Sequence, residues 1–428
     1  MKFLRLLLPL LLLTGCVSAG AGRENLDAIA RDYVKLQLAV GEKEEGYIDA
    51  YYGPARWQAE AKTIPRTLPQ LAAGAAVLAV RLNSLDEARL EPIERRRRDF
   101  LLAQLHAAST RLRMMQGEKL PFADEAEGLF GVRPELKPLS SYDPILARIE
   151  RLVPGPGPLA DRIDAFAKRF TISGERLDAV VRAAIAECRR RTLEHIELPP
   201  EERFNLEFVT GKSWSGYNWY KGEATSLIQI NTDLPIRISQ PIDLGCHEGY
   251  PGHHVYNMLL EQKLVKERGW IEYTVYPLYS PQSFIAEGSA TYGVDLAFPR
   301  GEQLAFATRI LYPIARLPTA EAAAYRALGE ATRDLAGARL TIAADYLDGR
   351  ISRAEAIELT RKYQLVTVAR AEQSLAFADQ YRSYVINYGL GREMVQAHVE
   401  AAGTTPEARW AAMERILSEP TLPSDLVR

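Results

Sequence analysis

The sequence predicts a mainly α-helical protein of the α+β class, with one small β-sheet near the middle of its 428 residues. Two observations support this. Over most of the chain, apolar residues recur three and four positions apart, which is the period of an amphipathic helix. Between residues 203 and 238, apolar and polar residues alternate, β-branched and aromatic residues are frequent, and glycines mark turns, as in short strands.

Residues 24–200 form a predicted N-terminal helical region. The sequence VPGPGPLA at 153–160 indicates a turn or short linker between two of its helices. The segments with the clearest helical period are ENLDAIARDYVKLQLAV (24–40), TLPQLAAGAAVLAVRLNSL (67–85), ERRRRDFLLAQLHAASTRLRMM (94–115) and SGERLDAVVRAAIAECRRRTLEHI (173–196).

Residues 201–428 form a second predicted region, in which the sheet at 203–238 precedes the helices of a candidate catalytic site. The predicted strands are FNLEFVTG (204–211), SGYNWYKG (215–222) and TSLIQINTDL (225–234). Helical periods return at HHVYNMLLEQKLVKER (253–268), FIAEGSATYGVDLAF (284–298), EAAAYRALGEATRDLAGARLTIAADYL (321–347), SRAEAIELTRKYQL (352–365) and GREMVQAHVEAAG (391–403).

The charge balance of the chain argues against a nucleic-acid-binding protein. Its 53 Lys and Arg residues nearly cancel its 55 Asp and Glu residues, which leaves a formal net charge of −2. A nucleic-acid-binding surface would produce a basic excess or a basic stripe. The balance is compatible with a small or peptidic ligand.

Residues 1–15 have the pattern of a signal peptide. Lys2 and Arg5 supply early positive charge, and an apolar run follows from residue 6 to residue 13. This run is too short to span a bilayer but has the length of the hydrophobic part of a signal peptide.

Residues 13–16, Leu-Thr-Gly-Cys, resemble a bacterial lipobox. The resemblance implies cleavage before Cys16, diacylation of its thiol, and attachment to a membrane through this lipid alone. Val17 is not the aspartate that retains lipoproteins in the inner membrane. We therefore expect the periplasmic face of the outer membrane of a Gram-negative bacterium, with residues 16–23 as a linker.

Two further cysteines, Cys188 and Cys246, remain if Cys16 is lipidated. Cys188 lies in an Arg-rich helical segment, and Cys246 is next to the candidate metal site. An oxidising compartment would allow them to pair. Because the two lie in different settings, we expect two free, buried thiols.

The stretch CHEGYPGHH at 246–254 is a candidate metal site. It holds three of the chain's six histidines, and Glu248 directly follows His247. A helical zinc site commonly has histidines at i and i+4, with a glutamate after the first acting as general base. Here Pro251 occupies the i+4 position, and His253 and His254 come later. A regular helix would hold neither of these histidines near His247.

A metal site therefore requires the helix to bulge or break at residues 250–252. A break of this kind favours His247 and His253 as ligands, with His254 turned toward a neighbouring residue or the substrate. The pair His247 and His254 stays open as an alternative. Glu287, in the apolar helical segment 284–293, is the candidate third ligand, because catalytic zinc uses three protein ligands and leaves one position for water.

At these residues the sequence resembles the bacterial family called domain of unknown function 885. The motifs that carry the resemblance are HEGYPGHH (247–254), EGSATY (287–292) and NYGLGREMV (387–395). The family is grouped with the glutamate-zincin metallopeptidases, so the resemblance implies zinc-dependent peptide hydrolysis on a multi-helix, zincin-like scaffold. Ser289 departs from the pattern, since a tryptophan or another large residue is expected there, and we expect this difference to affect the pocket wall.

These motifs predict a zinc-dependent hydrolase with Glu248 as general base, and a peptidase acting on short peptides is the favoured form. A metal hydrolase of a non-peptide amide or ester would need the same activated water, so it remains an alternative. A metal-free, lipid-anchored binding protein is a third possibility. A substrate panel separates the first two, and metal content separates both from the third.

Several further side chains are candidates for contacts with the substrate. By the resemblance, Tyr388 is the tyrosine of the C-terminal motif, and it could stabilise an oxyanion. Tyr276, Tyr384 and Arg382 are candidate substrate-binding residues. The strand at 225–234 is expected to lie at the edge of its sheet, where it could pair with an extended substrate.

Overall fold

The structure is a computed structural model that describes residues 18–299 and 301–427. The predicted signal peptide, the lipobox and Cys16 lie outside these residues. The first helix begins at Ser18, so residues 18–23 of the expected linker are helical. Within the described ranges, no helix combines the length and the apolar character needed to cross a membrane.

The protein is mainly α-helical, as the sequence predicts. The helices of the N-terminal region are α1 (Ser18–Gly41), α2 (Ala55–Thr63), α3 (Leu68–Asn83), α4 (Pro92–Met115), α5 (Phe122–Phe130), α6 (Asp143–Leu152), α7 (Leu159–Lys168) and α8 (Gly174–Leu193). Those of the second region are α9 (Gln240–Glu248), α10 (His253–Leu260), α11 (Pro281–Ala297), α12 (Glu302–Phe306), α13 (Tyr312–Ala315), α14 (Ala322–Arg333), α15 (Ala336–Leu347), α16 (Arg353–Gln364), α17 (Val368–Tyr381), α18 (Ile386–Ala401) and α19 (Pro406–Ser418).

The predicted sheet has three strands, β2 (Arg203–Val209), β3 (Gly216–Tyr220) and β4 (Thr225–Asn231). Strand β4 lies in the middle, parallel to β2 and antiparallel to β3. The expectation that residues 225–234 form an edge strand is therefore wrong, because both sides of β4 are already hydrogen-bonded. Strand β3 is the edge that faces the candidate site.

A second, two-stranded sheet was not predicted. It pairs β1 (Ile48–Tyr51) with β5 (Val275–Pro277) in antiparallel orientation. These strands have four and three residues, too few for alternation to stand out in the sequence. The pairing brings the start of the chain to the helix that carries Glu287.

The predicted helix at 321–347 is divided into α14 and α15 at Asp334 and Leu335. Asp334 pairs with Arg148 of α6. Gly337, in the first turn of α15, lies so close to Tyr142 that an added Cβ would meet its hydroxyl at 2.3 Å. The break between α14 and α15 thus lies where the chain contacts α6 and the residue before it, and the local helical period gives no sign of it.

Cys188 and Cys246 form a disulfide bond, so the expectation of two free thiols is wrong. Helices α8 and α9 pack side by side, and this places the two Cα atoms 5.3 Å apart. Both residues are fully buried, as expected. The bond links the end of α9, where the candidate metal site begins, to a long helix of the N-terminal region.

Helix α11 lies at the centre of the protein. All its residues are buried except Thr291 and Asp295, which line the main cavity. A helix that is apolar on every side is typical of such a central position. Helix α11 packs closely on α18 because Gly288 faces Gly391: a Cβ added to Gly288 would come within 2.6 Å of the Gly391 carbonyl group.

Candidate metal centre

The backbone breaks between His247 and His253, as a metal site in this stretch requires. Helix α9 ends at Glu248, the Tyr250–Pro251 peptide bond is cis, and α10 begins at His253. The Gly252 amide donates a 3.0 Å hydrogen bond to the carbonyl of Cys246. A Cβ at residue 252 would lie 1.8 Å from the His247 carbonyl oxygen, so this fold of the chain admits only glycine there.

The break brings together one atom from each of the three predicted ligands. His247 Nε2 and His253 Nε2 lie 3.1 Å apart, and Glu287 Oε2 lies 3.1 Å from the first and 3.5 Å from the second. Ligand atoms around a tetrahedral zinc ion, with bonds of about 2.0–2.1 Å, are about 3.3 Å apart. The three residues therefore match one face of a zinc coordination tetrahedron, and they could hold a metal ion.

The charge state of Glu287 also fits a cation. Its Oε2 atom is buried and faces the two imidazole nitrogens, at 3.1 and 3.5 Å. Burial alone would raise the pKa of Glu287, but the imidazoles of His253 and His247 hold it well below its usual range. The carboxylate is thus charged and directed at the point between the two imidazoles.

Neighbouring side chains hold the ligands in place. Tyr384 donates a 2.8 Å hydrogen bond to Glu287 Oε1, which leaves Oε2 for a metal. Thr291 Oγ1 lies 3.4 Å from His247 Nδ1, the ring nitrogen that faces away from the cluster. Such contacts fix the orientation of metal ligands and usually affect affinity. Thr291 was not predicted, although it lies one helical turn after Glu287.

His254 points away from the cluster. Its Nδ1 lies 2.8 Å from Ser226 Oγ and its Nε2 lies 3.1 Å from Glu202 Oε2. Glu202 also accepts hydrogen bonds from Tyr250 and Arg189, at 2.6 and 2.5 Å. His254 is fully buried and both its ring nitrogens are occupied. It belongs to a network that anchors the Tyr250–Pro251 segment, and the described geometry leaves the ligand position to His253.

Glu248 lies beside the cluster in the wall of the same cavity. Its side chain packs against the backbone of β3, where a Cβ added to Gly216 would come within 2.6 Å of Glu248 Oε1. Asn218 donates a 2.7 Å hydrogen bond to the Glu248 carbonyl oxygen. The pKa of Glu248 is raised to about 7, mainly by burial. His247 opposes this rise, whereas the negative charges of Glu287 and Asp49 add to it. A carboxyl group of this pKa can both accept and donate a proton near neutral pH.

Tyr388 and Tyr276 line the cavity as well. The Tyr388 ring stacks on the His247 ring, with centroids 6.2 Å apart and planes inclined by 22°. Burial, together with nearby Glu287, raises the pKa of Tyr388 well above its ordinary value. Burial does the same for Tyr276. Both phenols are therefore neutral and can donate a hydrogen bond.

Two other predicted positions lie elsewhere. Arg382 is not part of the cavity wall: its Nε donates a 2.7 Å hydrogen bond to the buried carboxylate of Glu125. Ser289, expected to affect the pocket wall, is fully buried and donates its hydroxyl to the Ala286 carbonyl. Tyr384 lines the cavity, but its hydroxyl already donates to Glu287.

The cavity has a volume of about 2140 Å³ and extends well beyond the metal centre. Its wall includes residues 213–218, which lead into and begin strand β3. It also includes Asp49 of β1, whose carboxylate accepts a hydrogen bond from Tyr217. The pKa of Asp49 is raised to about 6, because the effect of burial exceeds the opposing effect of the hydrogen bond from Tyr217. Asp49 was not predicted, since only the unpredicted β1–β5 pairing brings it here.

No model of a known protein family matches the chain, and no curated protein matches its sequence. The resemblance to domain of unknown function 885 therefore stays a prediction. Among solved structures, the chain is similar to a protein described as a lipoprotein from Colwellia psychrerythraea, with a TM-score of 0.49 and 16% identity over 92% of this chain and 75% of that chain. It is also similar to the M32 carboxypeptidase from Deinococcus radiodurans R1, with a TM-score of 0.41 and 13% identity over 95% and 94% of the two chains.

Proposed function

We propose that the protein is a zinc-dependent hydrolase that cleaves short peptides. The observation that carries this proposal is the set of three ligand atoms 3.1, 3.1 and 3.5 Å apart on His247, His253 and Glu287. The Glu287 oxygen of this set is buried, and the pKa of Glu287 is held well below its usual range by the two imidazoles despite that burial. Glu248 stands next to these ligands at the wall of a large cavity, where a substrate can reach it.

The side chains around the ligands fit roles in amide hydrolysis. A zinc ion held by the three residues would polarise a carbonyl group and lower the pKa of a coordinated water. Glu248 takes the proton of the attacking water and later passes it to the leaving amine, for which a pKa of about 7 is suitable. Tyr388, neutral and stacked on His247, donates a hydrogen bond to the oxyanion.

The cavity supports a peptide as the substrate. Its volume of about 2140 Å³ exceeds that of ordinary small-molecule sites, which have about 300–1,000 Å³. The wall is built by helices and strands of both regions, from Asp49 of β1 to Trp410 of α19. An extended peptide fits a space of this size, and Glu248 lies in its wall.

Metal content tests this proposal. Purified protein should hold about one zinc ion per chain after zinc is supplied, measured by atomic emission. His253→Ala and Glu287→Ala should lose it. His106→Ala, which removes an exposed histidine of α4, is the matched control and should retain it, and His254→Ala should retain it wherever the variant still folds.

Activity separates the remaining possibilities. Zinc-loaded protein should hydrolyse some members of a library of short peptides. Hydrolysis of simple amides or esters without any peptide cleavage would favour the non-peptide hydrolase. Failure to bind zinc in every version would refute the enzyme and leave a metal-free binding protein.

We also propose that a lipid on Cys16 anchors the protein at the periplasmic face of the outer membrane. This rests on the sequence of residues 1–17. Metabolic labelling with palmitate should mark the full chain but not Cys16→Ser, and labelled protein should fractionate with outer membranes. Equal labelling of both would contradict the anchor.

A further inference from the structure

Arg339 of α15 is a half-buried guanidinium in the wall of the cavity. Among the described residues it has neither an ion pair nor a hydrogen bond, and its neighbours are aromatic rings. Its guanidinium carbon lies 5.4 Å from the centre of the Phe377 ring and 5.8 Å from that of Tyr388. Burial lowers the pKa of Arg339 below its ordinary value, although an arginine of this kind remains charged.

Most other arginines of the cavity have carboxylate partners. Arg148 pairs with Asp334, Arg326 with Glu330, Arg191 with Glu187 and Glu302, and both Arg333 and Arg392 with Asp295. A cation taken out of water without a counter-ion lowers stability unless something compensates for it. The free guanidinium of Arg339 is therefore a position in this wall where an anion from outside would be favourable.

The position of Arg339 relates it to the metal centre. The Tyr388 ring lies close to both, since it contacts the Arg339 guanidinium and stacks on the His247 ring. The two separations, 5.8 and 6.2 Å, limit the distance from the guanidinium carbon to the His247 ring to about 12 Å. An extended chain advances about 3.3–3.6 Å per residue, so one or two residues fit between the scissile bond and Arg339.

We propose that Arg339 binds the C-terminal carboxylate of the substrate, so that the protein releases one or two residues from the C-terminus of short peptides. This inference rests on the proposed peptide hydrolysis. The planar guanidinium can donate two parallel hydrogen bonds to a carboxylate. The rings of Phe377 and Tyr388 flank the guanidinium and restrict its motion, so it loses less conformational entropy when it binds a carboxylate.

An aminopeptidase would need the opposite feature, a lasting negative charge near the metal that could bind a free amine. Asp49 is a candidate on position alone. Its carboxylate already accepts a hydrogen bond from Tyr217, and burial raises its pKa to about 6. Asp49 is therefore a weaker partner for an amine than Arg339 is for a carboxylate.

Binding can be measured without turnover. In the zinc-loaded Glu248→Gln protein, calorimetry would compare an N-acetylated tetrapeptide bearing a free carboxylate with the same peptide as its C-terminal amide. The free acid should bind ten- to a hundredfold more tightly, the range expected for hydrogen bonds between charged groups. Adding Arg339→Gln should remove this preference, and Arg339→Lys, which keeps the charge but loses the fork, should retain part of it.

Arg370→Gln is the matched control. Arg370 lines the same cavity and also lacks a carboxylate partner among the described residues, but its polar contact is with Gln373. Its removal should leave the preference unchanged. Loss of the preference with Arg370→Gln instead of Arg339→Gln would overturn the assignment, as would equal binding of acid and amide to the parent protein.

Turnover distinguishes this inference from the function on which it rests. Mass spectrometry of wild-type digests should show loss of one or two C-terminal residues from N-acetylated peptides, and Arg339→Gln should raise KM at least tenfold. Cleavage of acid and amide peptides at equal rates would refute the role of Arg339 and leave the hydrolase intact. A binding preference without any peptide cleavage would support the carboxylate site and refute the peptidase.

Discussion

Tyr384 donates its hydroxyl to one oxygen of Glu287, at 2.8 Å, while the other oxygen of that carboxylate faces His247 and His253. The hydrogen bond fixes the rotation of the carboxylate and so decides which oxygen a metal would meet. Tyr388, one helical turn later, stacks on His247 and lines the cavity. Both tyrosines lie near Glu287, but Tyr384 holds its carboxylate by the 2.8 Å hydrogen bond whereas Tyr388 also stacks on a ligand ring, so their removal should have different effects.

Tyr384→Phe should weaken zinc binding, and Tyr388→Phe should slow turnover. Loss of a residue that orients a metal ligand typically costs ten- to a hundredfold in affinity or activity. Loss of one oxyanion donor typically costs about 10²–10³ in kcat. Competition with a zinc chelator and steady-state kinetics would be measured on both variants, each serving as the control for the other. Identical behaviour in both assays would contradict the division of roles.

Glu248→Gln should abolish most turnover while the zinc content stays at the wild-type level. The glutamine amide cannot take up the proton of the attacking water, and general acid–base catalysis contributes about 10²–10⁴ to the rate. Glu330→Gln is a suitable control because Glu330 lies in the same cavity wall but pairs with Arg326. Retained turnover in Glu248→Gln would refute the assignment of the base, and loss of zinc would show that Glu248 is needed for the metal itself.

The network around Glu202 should make stability depend on pH in the acid range. Burial raises the pKa of Glu202, but hydrogen bonds from His254, Tyr250 and Arg189 outweigh it and lower the pKa from 4.5 to about 2. A depressed pKa stabilises the folded state above the unfolded value, and this contribution is lost as the pH falls from about 4.5 to about 2. Near pH 7 it should be on the order of 3 kcal/mol.

Urea unfolding of wild type and Glu202→Gln at pH 7, 5, 4 and 3 would test this. The difference in unfolding free energy should be constant from pH 7 to pH 5 and narrow below that. Glu358→Gln, which removes an exposed partner of Arg361, should change stability by less than about 1 kcal/mol. Parallel stability curves for Glu202→Gln and wild type down to pH 3 would contradict the prediction.

Reduction of the Cys188–Cys246 disulfide should lower the free energy of unfolding by about 2–4 kcal/mol. The bond joins residues 58 positions apart, and a loop of this size should reduce the entropy of the unfolded chain by the equivalent of about 4 kcal/mol. Denaturant unfolding with and without a reductant would measure the effect. The Cys188→Ala/Cys246→Ala double variant is the internal control, because the reductant should leave its stability unchanged.

Gly288→Ala should destabilise the fold and weaken the metal site together. The new methyl group would meet the backbone of Gly391 at 2.6 Å, so α11 and α18 would have to move apart. Overpacking of this kind costs about 1–3 kcal/mol, and it would separate Glu287 from Tyr384. Thermal unfolding and zinc affinity would be measured together.

Gly329→Ala provides the comparison for Gly288. Gly329 lies within α14, and nothing lies within 4 Å of the position its Cβ would take. Alanine there should stabilise the helix by about 0.5–1 kcal/mol. Equal effects of the two substitutions would show that the contact between α11 and α18 does not depend on glycine.

The sequence was sufficient to predict the cluster of His247, His253 and Glu287, because metal chemistry limits the choice severely. The Pro251–Gly252 pair excludes a regular helix, and few acidic residues lie in apolar helical segments soon afterwards. The helical segments and the three-stranded sheet were also predictable, since each has a local period. Whether His253 or His254 faces the cluster depended on the backbone of residues 249–252, which periodicity does not describe.

Features that depend on distant pairs were missed. The Cys188–Cys246 bond requires α8 and α9 to be neighbours, and neither sequence segment indicates this. Asp49 reaches the site through the β1–β5 pairing, and Arg339 reaches it through the packing of α15. The placement of β4 at the centre of its sheet likewise depends on β2, which joins it in parallel. In each case, the contact joins segments that are far apart in the sequence, and the sequence of neither segment indicates the other.

The β1–β5 pairing has a consequence for how the site comes into existence. It joins residues 48–51 to residues 275–277, and Glu125 accepts a hydrogen bond from the Ser383 amide beside Tyr384. Contacts of such long sequence separation form late in folding, because closing large loops costs entropy before any interaction compensates for it. We therefore expect a nascent chain to contain the metal-binding motif well before the three candidate ligands come together, so that the site is complete only after folding is complete.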